Sequence, residues 1–152
     1  MTHEIDVDFA NEADLVSLAE LLLDLFTLEK DFQPDQARQL AGLKLILDNP
    51  DLGRLFVLRV DGKVADMANA LITFSTAEGG RVLLLEDVIL KVEHRGGGLG
   101  RRLVAHVFRW AAAEGMTRVT LLADKDNRPA LEFYDHVGFD VSGMAVLRKS
   151  LM

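Results

Sequence analysis

The sequence predicts an α/β (α+β) fold, a mixed sheet with helices on both faces. Three observations carry this. Short stretches of alternating apolar and polar residues, the first holding Ile5, Val7 and Phe9, are interleaved with stretches of helical period. The dipeptide Asp61-Gly62 separates two apolar runs, which is a hairpin signal. A run rich in Leu, Val and Ile over 83–92 breaks into Gly96, Gly97, Gly98 and Gly100, and a helical pattern begins at once. A chain of 152 residues, 49% of them hydrophobic, suits one domain over 1–152 with a sizeable core.

The elements follow in order. Glu4–Phe9 alternates and reads as a first strand. Asn11 is a good N-cap with Asp14 three residues on, opening a helix to about Phe26 with Leu15, Leu18, Ala19, Leu22 and Leu25 on its buried face. Thr27–Pro34, largely polar and acidic, reads as a connection. A second helix over Asp35–Leu47 carries Leu40, Leu43, Leu45 and Leu47, and Asn49-Pro50 closes it. Leu55–Val60 and Val64–Phe74 form the hairpin, and Gly79-Gly80 turns the chain into a central strand over Val82–Val92. After the glycines, Leu99, Leu103, Val107 and Trp110 mark a helix to about Glu114, stopped by Gly115. Arg118–Ala123 is a further strand. Asn127 caps a short helix with Pro129 in its first turn, where proline costs little. Gly138–Val141 and Met144–Lys149 are expected as the last strands.

Composition excludes several classes. No apolar run approaches the ~18–20 residues of a membrane span, and Met1-Thr2-His3-Glu4 has neither basic segment nor apolar core of a secretory signal. Cysteine is absent, which fits a cytoplasmic protein and rules out an acyl-cysteine intermediate. The net charge of −7 speaks against nucleic acid as the main partner. Residues 1–51 hold 12 Asp/Glu against 3 Lys/Arg, whereas residues 52–152 hold 12 against 14. The acidic first third is either a solvated helical face or the side that meets a cationic ligand.

A strand, a glycine turn and a helix N-terminus together make an anion seat. Glycines let backbone N–H groups approach a phosphate, and the helix dipole adds positive potential. Neither common phosphate motif fits. No Lys-Ser or Lys-Thr follows the glycines, and the dinucleotide spacing places Arg101 or Leu103 where its third glycine belongs. What fits is Arg95-x-x-Gly98-x-Gly100, with a Gly-rich surface turn as the bland alternative. This pattern resembles the acetyl-CoA pyrophosphate loop of the GNAT superfamily of N-acetyltransferases. A second stretch starts 32 residues after Arg95. It reads Asn127-Arg128-Pro129-Ala130-Leu131-Glu132-Phe133-Tyr134-Asp135-His136-Val137-Gly138-Phe139 and resembles the other GNAT signature, N-x-x-A-x-x-[FL]-Y-x-x-x-G-F, at every specified position. The resemblance covers about Val57–Arg148. Leu85-Glu86-Asp87 is in addition similar to a segment of the diamine (spermidine/spermine-type) acetyltransferases. The sequence departs from the family at Val92, His94 and Gly97, where Pro, Tyr and a longer side chain are usual.

The resemblance implies a twisted GNAT-like sheet, splayed where acetyl-CoA inserts, and an acetyl-CoA-dependent N-acetyltransferase. It implies that backbone N–H groups of Gly96, Gly97, Gly98, Leu99, Gly100 and Arg101, with Arg95, hold the pyrophosphate. The main chain of Val88, Ile89 and Leu90 would pair with the pantetheine arm, and Asn127, with Ala130 beside it, would meet the arm from the other side. Tyr134, the one tyrosine in the chain, occupies the family's general-acid position; its alternative is a core aromatic. A primary amine of pKa ~10.4 is neutral in only ~10⁻³·⁴ of molecules at pH 7, a penalty of about 4.6 kcal/mol that a carboxylate relieves. Strand alternation places Glu86 with Val88 and Leu90, which makes Glu86 the expected base and Asp87 a substrate anchor or alternate base. The resemblance places the acceptor near the connection between the first two helices, which here supplies Glu29 and Asp31 and so suits a small cationic di- or polyamine. A peptide or protein amine is the rival acceptor, and a non-catalytic acyl-CoA-binding module the rival function. The four histidines lack ligand spacing, so no metal is expected. The oligomeric state stays open, a homodimer among the alternatives.

Overall fold

The computed structural model describes residues 2–28, 35–90 and 97–152. They form two compact units, Met1–Leu122 and Ala123–Met152. The first holds β1 (Ile5–Phe9), a 3₁₀ turn (Glu12–Asp14), α1 (Leu15–Leu28), α2 (Gln36–Asp48), β2 (Gly53–Val60), β3 (Lys63–Ser75), β4 (Gly80–Leu90), α3 (Leu99–Ala113) and β5 (Val119–Leu121). The five strands lie in sequence order in one sheet. β1 to β4 run antiparallel, and β5 joins β4 in parallel.

Alternation along β2 explains why helices cover both faces. Leu55 and Val57 are buried with Leu18, Leu22 and Leu43, the inward residues of α1 and α2. Phe56, between them, points the other way and meets Trp110 and His106 of α3 edge-on, with ring centroids 5.3 and 5.8 Å apart. The Asp61-Gly62 turn has positive φ at both residues, +50° and +80°, the geometry that a tight hairpin needs. At the start of α1 the Asp14 carboxylate accepts from the Asn11 backbone N–H (2.8 Å) and from both Arg59 guanidinium nitrogens (2.6 and 2.7 Å). That bidentate pair ties the helix to β2 and holds the Asp14 carboxyl below its ordinary pKa, the Arg59 hydrogen bonds being the main cause. Leu45 is 66% exposed, because it lies two residues from Leu43 and so leaves the buried face of α2.

The second unit contains α4 (Arg128–His136). Asn127 caps it, its side-chain oxygen accepting from Ala130 N–H at 3.2 Å. No strand forms over 138–149, contrary to the expectation for Gly138–Val141 and Met144–Lys149. Val141 and Leu147 are more than nine-tenths exposed. Their alternation signals a residue set able to join a sheet, but a strand exists only when a neighbour supplies the ladder.

Candidate active site

The site-forming feature of the first unit is an irregularity in β4. Asn69 pairs with Asp87, yet the next residue of β3, Ala70, pairs with Leu85. Glu86 is therefore one residue too many and stands in a β-bulge. A bulge breaks the alternation on which a sequence-based assignment of faces depends. Before it, Leu83 and Leu85 are fully buried; after it, Ile89 joins the core formed with α1 and α2. Asp87 lies two residues from Ile89 and so shares its face, as Asn69 does with Met67 across the pair.

The two carboxylates differ accordingly. Glu86 is exposed. Asp87 is half-buried, and Asn69 Nδ2 donates to its Oδ2 at 3.2 Å. Burial raises its pKa to about 6, opposed by the Asn69 hydrogen bond and aided slightly by the charge of Glu86. A carboxylate with that pKa is about nine-tenths ionised at pH 7 and is a stronger base than an ordinary aspartate by about 3 kcal/mol. Asn69 is itself only 6% exposed, and its Oδ1 has no hydrogen-bond partner among the described residues. Sequence reasoning passed over Asn69. The available signal was an amide among Met67, Ala68, Ala70 and Leu71, in a strand otherwise apolar at that point.

The bulge also marks where β4 loses a neighbour. β5 pairs with Leu83, Leu84 and Leu85 and no further. Past that point the β5 side of β4 carries no paired strand among the described residues. Val88 and Ile89 thus lie on a strand whose far edge can accept an extended, amide-bearing chain in β fashion. Gly97 and Gly98 are exposed where the chain enters α3, and Gly98 has φ +79° as its N-cap. The first-turn N–H groups of Leu99, Gly100 and Arg101 precede the first donor of the helical ladder, Arg102 N–H to the Gly98 carbonyl, and so have no partner within the helix. Donors at a helix N-terminus suit a diphosphate, and a strand stretch without a paired neighbour suits a pantetheine arm. Arg101 and Arg102 line an open concavity of about 410 Å³ along β1 and α3, none of whose lining residues belongs to β4.

Arg95, Gly96, Glu29 and Asp31 lie outside the described residues. Asn127, Ala130 and Tyr134 belong to the second unit. There the half-buried Tyr134 ring stands edge-on to Phe133 and Phe139, with centroids 5.4 and 5.9 Å away. Among the described residues no group of three or more His, Cys, Asp or Glu could hold a metal ion, and no helix is long and apolar enough to cross a membrane.

The acetyltransferase (GNAT) family model matches residues 15–139. The chain belongs to the GNAT family. It is an acetyl-CoA-dependent N-acetyltransferase. This GNAT chain is 28% identical over 149 residues to glucosamine 6-phosphate N-acetyltransferase of Trypanosoma brucei brucei, covering 91% of itself and 92% of that protein. Its fold is similar to that of a possible acetyltransferase from Clostridium difficile 630, with a TM-score of 0.86, 19% identity and 97% and 98% of the two chains covered. It is also similar to the aminoglycoside N-acetyltransferase AAC(6')-Iy in complex with CoA, with a TM-score of 0.84, 20% identity and 100% and 98% coverage.

If the α3 N-terminus seats the diphosphate of acetyl-CoA, binding should show it. Acetyl-CoA should raise the melting temperature, and acetyl-pantetheine, which lacks the diphosphate, should raise it far less. Gly98→Asp should remove the acetyl-CoA effect. A β carbon there meets nothing within 4 Å, so the loss would come from a carboxylate facing phosphate and from the left-handed backbone. Equal stabilisation by the two ligands in a thermal-shift assay would rule out a diphosphate seat.

Proposed function

We propose that this acetyltransferase transfers acetyl from acetyl-CoA to a primary amine of a small cationic molecule by direct attack, with Asp87 as the base and the whole chain acting as one acetyltransferase domain. The observation that carries this is Asp87, half-buried next to the bulge, past the point where β4 loses its paired strand among the described residues, with its pKa raised to about 6. Acetyl-CoA supplies an activated thioester. As the C–N bond forms, Asp87 takes a proton from the amine nitrogen. The C–S bond breaks as Tyr134 gives its phenolic proton to the departing thiolate, a role assigned by its place in the signature around it. The absence of cysteine leaves no thiol for an acyl-enzyme. Asn127 already spends its side-chain oxygen on the cap of α4, so its NH₂ group is the one offered to a pantetheine carbonyl.

The acceptor is read from charge. The acidic excess of residues 1–51, with Glu29 and Asp31 within it, suits a cationic amine. Leu85-Glu86-Asp87 supports the diamine class, and the small-molecule amines in the names of the relatives support a small acceptor over a peptide. The test is thiol release from acetyl-CoA with spermidine, an aminoglycoside, glucosamine 6-phosphate and a peptide with a free N-terminus. A di- or polyamine should give the lowest KM at low salt, rising with ionic strength. Preference for the phosphorylated or the neutral amine would remove the cationic assignment.

A further inference from the structure

We infer that Asn69 is a second contact for the acceptor nitrogen: its NH₂ group holds Asp87, and its buried Oδ1 accepts a hydrogen bond from the amine. This deepens the proposed transfer and rests on it.

The argument begins with a cross-strand pair. Asn69 on β3 and Asp87 on β4 are directly opposite each other, at the last pairing before the bulge. An ionised carboxylate only accepts hydrogen bonds, so the amide must turn its NH₂ group toward it. Its oxygen is then forced to the far side. Among the described residues that buried oxygen has no hydrogen-bond partner, and its residue is 6% exposed. A buried acceptor left unmade is costly, and proteins keep one where a ligand completes it. The cross-strand pair thus carries two acceptors, the charged Asp87 carboxylate and the neutral Asn69 Oδ1.

A neutral primary amine matches this pair. It has one lone pair and two N–H donors in a tetrahedral arrangement. With one N–H on Asp87 and the other on Asn69 Oδ1, the lone pair is left pointing in a single direction, as attack on a carbonyl carbon requires. A secondary amine has one N–H in its neutral form and must leave one acceptor empty. Asn69 would therefore select primary over secondary amines, because a site built to hydrogen-bond a group rejects the analogue that lacks it. Lys63 and Asp66 on β3, and Glu20 and Asp24 on α1, are the charged groups of the elements packed against β4, and β5 carries none. Burial, Asn69 and the charge of Glu86 are the influences that set the Asp87 carboxyl.

The experiment compares a primary amine with its N-methyl analogue in the wild type and in Asn69→Leu, which keeps the size and removes both polar atoms. The wild type should prefer the primary amine by about 10²-fold or more in kcat/KM, and Asn69→Leu should cut that ratio at least tenfold. The acid limb of the pH profile should move upward from about 6 in the variant, since the hydrogen bond that lowers the Asp87 pKa is gone. Acetyl-CoA should still raise the melting temperature of the variant. Asn69→Ser is the second variant if leucine prevents folding, with the same expected changes. A ratio and an acid limb that stay put in a folded variant overturn this inference and leave the transferase reading intact. Wild-type protein that binds acetyl-CoA but releases no thiol with any primary amine overturns both.

Discussion

Asp87→Asn is expected to lower kcat/KM by about 10²- to 10⁴-fold, the usual range for a lost general base. In the wild type the rate should rise with pH through an apparent pKa of about 6, as Asp87 ionises, and in the variant that limb should vanish. Stability should move the other way. The folded pKa of Asp87 lies above its unfolded value of about 3.8, so between those values the folded state binds more protons and stability falls as pH rises. Above pH 6 the burial of the charged carboxylate costs up to about 3 kcal/mol, which a neutral amide does not incur. The variant should therefore melt at or above the wild-type temperature at pH 7.5 while losing its activity. Calorimetry beside steady-state rates over pH 5–8 checks both halves. A variant that is fully active, or that retains the limb near 6, would show that another group takes the proton.

Tyr134→Phe is expected to lower kcat by about 10- to 10³-fold while leaving the thermal shift with acetyl-CoA in place. The substitution keeps the ring and its edge-on contacts with Phe133 and Phe139, so the fold around α4 should persist. The phenolic hydroxyl, and with it the proton donor, is removed. That proton matters because a thiol of pKa ~8.5 is a better leaving group when protonated, and a phenol of pKa ~10 gives it one at about 2 kcal/mol. Rates are to be compared from pH 6 to 9. Turnover equal to the wild type throughout would mean that solvent protonates the thiolate and Tyr134 serves packing alone.

Local chemistry was enough for much of this chain. Asp61-Gly62 demands a two-residue turn because few other residues take positive φ twice, and β2 and β3 pair around it. Asn127 with Pro129 starts α4, and Gly98 starts α3, because caps and left-handed turns depend on one or two residues and not on distant partners. The motifs around Gly98 and Tyr134 are contiguous, so the family was legible without coordinates. What depended on pairing was not. Whether Glu86 or Asp87 turns inward is decided by the register between β3 and β4, where Ala70 faces Leu85 and leaves Glu86 as the extra residue. Nothing local to Leu85-Glu86-Asp87 encodes that slip, since alternation assumes an unbroken ladder. Asn69 enters for the same reason. It is 18 positions from Asp87, and its amide becomes chemically relevant only when the strands bring the two within 3.2 Å. The segment over 138–149 shows the converse. Its pattern is that of strands, but a ladder needs a second strand, and that belongs to tertiary structure alone.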